Sequence, residues 1–182
     1  MKPFEVLGFL FDAERIQSVS ALLVLIWVPI LTFGLYPWAN RRGWNLTPLK
    51  RMGAGFVFAS ISFVICAWLQ TRLNAGETLS LKWQLLPYVV LELGEVLISA
   101  TGLEFAYGQA PARYRGLVMS LWLVCTALGN FLVAVITRIN SKLVHASGTA
   151  EFLFYAAFIL VAAVAFTLIA RSVAVTRPTA ST

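Results

Sequence analysis

Long apolar stretches separated by short polar or basic segments make up most of the chain. Five of them are long enough, at about 20 residues, to cross the hydrocarbon core of a membrane as α-helices. The predicted spans are residues 19–38, 52–69, 84–107, 117–137 and 152–170. We therefore expect an all-α polytopic membrane protein with five transmembrane helices. Residues 1–18 are expected outside the membrane or at its interface, and residues 172–182 as a cytoplasmic tail.

The composition also indicates a membrane protein. Of the 182 residues, 59% are hydrophobic and only 12% are charged, whereas a soluble domain carries about 25% charged residues. The net charge of +6 would suggest a nucleic-acid partner for a soluble chain, but the basic residues lie in short segments between apolar stretches, as in cytoplasmic loops. The expected partner is the lipid bilayer, and nucleic acid is not expected.

The distribution of basic residues predicts an orientation. The loop after the first span carries Arg41, Arg42, Lys50 and Arg51 and is the strongest cytoplasmic signal. The connection after the second span is less basic and is assigned to the outside. Five spans then place the N-terminus outside and the C-terminus in the cytoplasm, in the cell membrane, which is the inner membrane if the source is a Gram-negative bacterium.

Two of the spans contain residues that affect helix geometry. Pro29 lies in the middle of the first span and predicts a kink, because proline removes a backbone hydrogen bond. The second span carries small residues at near-fourfold spacing, which would let another helix approach closely. These residues are Gly53, Gly55, Ala59 and Ser62.

Three acidic residues, Glu92, Glu95 and Glu104, fall within or beside the apolar residues of the third span. A charged side chain at the centre of a bilayer costs at least about 2.5–3.5 kcal/mol, so such residues usually face a protein interior or a wet cavity. Glu92 and Glu95 lie about 60° apart around a regular helix, while Glu104 and Glu95 lie on opposite faces. These acids need not share one site.

Catalytic chemistry finds little support in the sequence. Cys66 and Cys125 lie within apolar stretches without the spacing of metal ligands, and His145, the only histidine, lies in a predicted outer loop. No nucleophile and base pair, phosphate-binding loop or metal-ligand cluster is recognisable. We expect neither catalytic residues nor a metal site, and therefore not an enzyme.

Specific motifs follow in the third and fourth spans: Gly94-Glu95-Val96, the run from Ser99 to Tyr107, Gln109-Ala110-Pro111, and Trp122 followed by Gly129-Asn130. With Gln17-Ser18-Val19 and the run from Leu46 to Met52, they closely resemble the proton-dependent oligopeptide transporter family of the major facilitator superfamily, over about residues 15–170. The resemblance implies that the five helices correspond to the eighth through twelfth of twelve core helices. It also implies di- or tripeptide substrates, with the proton as coupling ion and no other cofactor.

The resemblance further implies substrate-binding roles for Glu95, Trp122, Ser20 and Ser99. Glu95 corresponds to the acid that faces the amino terminus of the peptide, and the alternative is a hydrogen bond between helices. Trp122 would line the cavity or serve packing alone. Ser20 stands where the family commonly has an asparagine, which puts that contact in doubt, and Ser99 could instead bond to its own helix.

Gating or structural roles are assigned to Glu104, Gly102, Gly108, Pro29 and Pro111. The glycines could let the third helix bend at a cytoplasmic gate, although close packing explains them equally well. Glu104 could instead pair with a basic residue of an adjacent loop, and Pro111 helps to end the helix. Glu92 is expected to be a solvated or interfacial acid.

Helices one to seven of the family pattern, with their proton-coupling and basic peptide-binding residues, are not encoded here. One hypothesis is therefore that the chain is the C-terminal part of a peptide transporter, incomplete as encoded or completed by a separate N-terminal half. The alternative is a non-transporting membrane remnant, or a partner subunit that packs against such a half.

Overall fold

The computed structural model describes residues 4–6, 9–11, 13–44, 46–80, 82–143 and 148–175, and these are mostly helical. The strands are β1 (Phe4–Val6) and β2 (Phe9–Phe11). The helices are α1 (Ala13–Pro29), α2 (Tyr36–Arg41), α3 (Pro48–Asn74), α4 (Lys82–Gln109), α5 (Arg115–Leu143) and α6 (Gly148–Val175). Each helical stretch extends beyond the predicted span at both ends, and α1 begins inside the segment expected to precede the first span.

The two short strands form an antiparallel hairpin in which Phe4 lies opposite Phe11 and Val6 lies opposite Phe9. The sequence does not predict it, because three residues are too few for an alternating pattern to be recognised. The hairpin places β2 immediately before α1.

Helix α1 ends at Pro29 and is followed by a π-helical segment, Ile30–Leu35, which leads directly into α2. The kink expected at Pro29 stays a prediction. A π-helix bonds residue i to residue i+5 and carries more residues per turn than an α-helix. Because proline lacks the amide hydrogen that the α-helical pattern needs, the change of backbone geometry at this position has a local cause in the sequence.

Helix α3 is the central element of the bundle, since it packs most extensively against α4 on one side and α6 on the other. Helix α1 packs on α4, while α5 makes few contacts with the rest of the chain. Four stretches are long and apolar enough to cross a membrane: Val19–Arg41, Pro48–Asn74, Ala112–Ile139 and Gly148–Ser172. Helix α4, which carries the three acidic residues, is not among them, and α1 and α3 pack against part of its surface.

The backbones of α3 and α4 approach closely at two facing glycines. A Cβ placed on Gly55 would lie 2.7 Å from the Gly94 carbonyl oxygen, and one on Gly94 would lie 2.8 Å from the Gly55 carbonyl oxygen. Ala59 and Ser62 are also buried, and the Ser62 hydroxyl donates to the Pro87 carbonyl at 2.8 Å. The predicted close packing is therefore confirmed for these residues of α3. Gly53 does not take part, because a Cβ there would meet nothing within 4 Å.

The opposite side of α3 is joined to α6 by a buried hydrogen bond and aromatic pairs. Ser60 donates its hydroxyl hydrogen to the Ala156 carbonyl at 3.0 Å. The rings of Phe56 and Phe166 are 5.4 Å apart between centroids. Such pairs contribute about 0.5–1.5 kcal/mol beyond the burial of their surface. The two faces of α3 thus pack differently. Close backbone contact at glycines joins α3 to α4, and aromatic rings join it to α6.

Candidate substrate-binding site

A carboxyl group is buried between α1 and α4. Glu92 is only 3% exposed, and its Oε1 accepts a hydrogen bond from the Ser20 hydroxyl. Its Oε2 is also buried and has no hydrogen-bond partner among the residues that the structure describes. The expectation that Glu92 is a solvated or interfacial acid is therefore wrong. Its position on α4 turns the side chain towards α1, where the short Ser20 side chain leaves room for it.

Further contacts hold α1 against this part of α4. Trp27 donates its indole N–H to the Val89 carbonyl oxygen at 3.2 Å. Leu31, Val96 and Leu97 form a buried apolar cluster, and Trp27 packs against it. The position of Ser20 relative to Glu92 is thus supported by apolar packing and by a second hydrogen bond between the same two segments.

Glu95 and Ser99 lie on an exposed face of α4. They are four residues apart, which places them one turn apart on the same side of a helix. Within the described part of the chain, neither side chain has a hydrogen-bond or ion-pair partner. In these residues, Glu95 makes no hydrogen bond to another helix, and Ser99 makes none to its own helix. The two alternatives considered for them are therefore not observed in that part of the chain. Both polar groups are open to a ligand or to further helices.

Gly102 continues the same face, seven residues after Glu95, and is covered by Trp122 of α5. A Cβ on Gly102 would lie 2.6 Å from the indole Cη2 atom and 3.1 Å from the Met52 methyl carbon. Gly102 thus packs closely against Trp122 and Met52, and its role at a gate stays a prediction. Trp122 itself is half-buried, so its indole closes one end of the face that carries Glu95 and Ser99.

The end of α4 differs from the expectation in one respect. Glu104 is exposed and forms no ion pair or hydrogen bond with any residue that the structure describes. The pairing considered for it with a basic loop residue is thus not observed in that part of the chain. Helix α4 ends at Gln109, two residues before Pro111. Gly108 has open space around it, since a Cβ there would meet nothing within 4 Å.

The assigned substrate-binding residues therefore lie on α1, α4 and α5, apart from the α3–α6 interface. Glu92, which was not assigned to this set, lies within one turn of Glu95 on α4. Glu92 is shielded from solvent and accepts a hydrogen bond from Ser20, whereas Glu95 is exposed. An exposed carboxylate can form charge-assisted hydrogen bonds with an ammonium group.

Metal binding receives no support from the described residues, among which no three His, Cys, Asp or Glu side chains could hold an ion together. His145 lies outside the described residues, so its predicted place in an outer loop stays a prediction. Cys66 and Cys125 are free thiols.

Sequence reasoning missed the contact between Ser20 and Glu92. One signal was available, because Glu92 precedes Val96 by four residues and so shares the face of α4 that packs in the apolar cluster. The periodicity of α4 is weak, however, since apolar residues surround the helix on every side. Only the position of α1 determines which of the two neighbouring acids is covered.

The fold and these residues define a polytopic helical membrane protein with a polar, partly acidic face on one of its helices. The family model described as PTR2, POT family, matches residues 4–167. The chain therefore belongs to the POT family.

Similarity to known proteins supports this assignment. The chain is 28% identical over 140 residues to the peptide transporter PTR2 of Saccharomyces cerevisiae, covering 70% of this chain and 23% of that protein. It is 36% identical over 98 residues to solute carrier family 15 member 1 of Oryctolagus cuniculus, covering 52% and 13%. The in meso crystal structure of the POT family transporter PepTSo matches with a TM-score of 0.80 and 37% identity, covering 92% of this chain and 35% of that one. The chain thus spans less than a quarter of these two curated relatives.

Proposed function

We propose that this chain forms part of a proton-coupled transporter of di- and tripeptides in the cell membrane, with its N-terminus outside and its C-terminus in the cytoplasm. The observation that carries the proposal is the open Glu95 carboxylate on α4, in a chain that belongs to a transporter family. A peptide has a free ammonium group at one end, and a carboxylate is the side chain that binds such a group most strongly.

In the proposed site, Glu95 binds the peptide amino group, while Ser99 and Trp122 contact the rest of the ligand. Ser20 and Glu92 lie at one edge of this site and keep a second carboxyl within a turn of the first. Gating or structural roles are proposed for Glu104, Gly102, Gly108, Pro29 and Pro111. The proton is the coupling ion, and no other cofactor is proposed.

We further propose that transport requires helices beyond α1–α6. In the described part of the chain, the apolar stretch of α5 has no buried residue. This exposure supports further helices that pack against α5. The match to about a third of a solved transporter supports a separate N-terminal half as the source of the missing helices.

Uptake of radiolabelled dialanine tests the proposal in a bacterial strain without other peptide transporters. The chain is expressed alone and together with the genomic region that precedes it. We expect uptake only in the second case, greater at an external pH of about 6 than at about 7.5, and abolished by a protonophore. Uptake by the chain alone would disprove the need for further helices. Uptake that is insensitive to pH and protonophore would disprove proton coupling.

The role of Glu95 is tested in the same assay with Glu95→Gln, which keeps the size of the side chain and removes the charge. Loss of a charged hydrogen-bond partner costs about 1.5–3 kcal/mol, so the apparent affinity should fall by roughly tenfold to a hundredfold. Glu151→Gln, in the first turn of α6, is the matched control and should behave like the wild type. Equal uptake by both variants would contradict the assignment of Glu95.

A further inference from the structure

A groove between α3 and α6, on the side of α3 away from the acidic residues, has the features of a lipid site. It has a volume of about 470 Å³, within the range of about 300–1,000 Å³ that is typical of small-molecule pockets. Lys50 and Arg171 line it together with the hydroxyl-bearing residues Thr47 and Thr167. The groove therefore combines two cationic side chains and two hydroxyl groups with a mostly apolar wall.

The apolar part of the groove extends along α3 into the membrane. Gly53, Ala54 and Val57 line it from α3, and Phe166 and Ala170 line it from α6. Gly53 leaves space there, since a Cβ at this position would meet nothing within 4 Å. The wall is fixed on the α6 side, because the Phe166 ring packs against Phe56.

The dimensions of the groove fit one leaflet of a bilayer. Its lining runs along α3 from Thr47 to Val57, and ten residues of α-helix rise about 15 Å. This length is half of the hydrocarbon thickness of about 30 Å. An acyl chain that follows the groove from its basic end would thus reach the middle of the membrane.

Further basic residues lie close to Lys50 along the chain. Arg41 ends α2, Arg42 follows it in the loop, and Lys50 and Arg51 lie in the first turn of α3. Clusters of four basic residues beside a membrane helix attract anionic lipids. Lys50 has an interaction within the chain, and two of the neighbouring arginines make cation–π contacts. Arg51 lies over the Tyr36 ring at 3.7 Å and donates to the Leu46 carbonyl, while Arg42 lies over the Trp38 ring at 4.5 Å.

From this charge complementarity and these dimensions, we propose that the groove between α3 and α6 binds an anionic phospholipid. Its headgroup phosphate contacts Lys50 and Arg171, and one acyl chain lies along Gly53, Ala54 and Phe166. The site is separate from the acids of α4 and does not depend on peptide transport.

Native mass spectrometry of the delipidated full chain in detergent, titrated with phosphatidylglycerol or phosphatidylcholine, tests the proposal. We expect saturable binding of phosphatidylglycerol that is at least tenfold tighter than that of phosphatidylcholine. In Lys50→Gln with Arg171→Gln, binding should weaken by roughly thirtyfold, because each basic residue near a membrane surface contributes about fivefold. Arg113→Gln with Arg115→Gln removes the same charge from the α4–α5 connection and should bind like the wild type.

A third variant separates the acyl chain from the headgroup. Ala54→Phe fills the apolar part of the groove and keeps both cations, so we expect it to lose phosphatidylglycerol as well. Circular dichroism and gel filtration confirm that each variant is folded. We expect Arg171→Gln alone to weaken binding, and Arg171→Lys, which keeps the positive charge, to bind like the wild type. Equal binding of the two lipids, equal losses in the two double variants, or unchanged binding by Ala54→Phe would overturn the proposal.

Discussion

The close approach of α3 and α4 allows a quantitative test with a single methyl group. In Gly94→Ala, the new Cβ would lie 2.8 Å from the Gly55 carbonyl oxygen and 3.0 Å from the Ala59 amide nitrogen. Both neighbours are backbone atoms and cannot rotate away. Since ordinary contact begins at 3.4 Å, the helices must separate by about 0.6 Å at the tighter contact. Overpacking of this kind costs about 1–3 kcal/mol.

Gly108→Ala is the matched control, because it makes the same substitution in the same helix where a Cβ meets nothing within 4 Å. In a helix interior, alanine is favoured over glycine by roughly 0.8–1.0 kcal/mol. Gly94 lies in the interior of α4, whereas Gly108 is one residue from its end, so propensity alone would make Gly94→Ala the more stable variant. A lower stability of Gly94→Ala therefore reports the cost of the contact. Gly53→Ala provides a second control on α3, where the surroundings are also open.

The free energy of unfolding is measured by titrating the purified chain with sodium dodecyl sulfate in mixed micelles, followed by far-UV circular dichroism. We expect Gly94→Ala to be less stable than Gly108→Ala by about 1–3 kcal/mol, and Gly53→Ala to resemble Gly108→Ala. Equal stability of Gly94→Ala and Gly108→Ala would refute the close contact at Gly55.

Two further substitutions address the polar face and its borders. Ser20→Ala removes the observed donor to the buried Glu92 carboxyl, so the same titration should show a free energy of unfolding lower by about 1–3 kcal/mol. Adding Glu92→Leu to Ser20→Ala should recover part of this loss. A purely additive further loss would contradict the pairing. In Gly102→Ala, the new Cβ would meet the ends of two side chains, Trp122 and Met52, which can move. We therefore expect a smaller loss of stability than in Gly94→Ala, together with a shift in tryptophan fluorescence. An unchanged emission spectrum would contradict the contact.

The sequence predicted the helices well because their apolar stretches are long and are separated by basic or polar loops. It also predicted that small residues on α3 would allow a close helix contact. It could not distinguish Gly53 from Gly55, since both fit the same spacing, and only Gly94 on the facing helix selects one of them. The short hairpin before α1 gave no recognisable pattern.

The candidate site was less accessible to sequence reasoning. Family resemblance directed attention to Glu95, and its exposed place on α4 agrees with a ligand-facing residue without testing that role. For Glu92 the prediction was wrong, because an acid in an apolar helix can be accommodated either by water or by a donor on a neighbouring helix. Which of these occurs depends on where α1 packs, and this tertiary contact has no local signature.

The contacts between α3 and α4 also restrict how the bundle can move. Two contacts fix how the helices are aligned: Gly55 faces Gly94, and Ser62 bonds to Pro87. Ser62 lies seven residues after Gly55 on α3, and Pro87 lies seven residues before Gly94 on α4. The two helices thus keep one antiparallel register over about 10.5 Å, and sliding by even one residue would break both contacts at once. Because α6 is joined to the other side of α3 by a buried hydrogen bond and a ring contact, we expect α3, α4 and α6 to move together over this register. We expect hinge or shear motion chiefly where α1 and α5 join them, since these helices make fewer contacts.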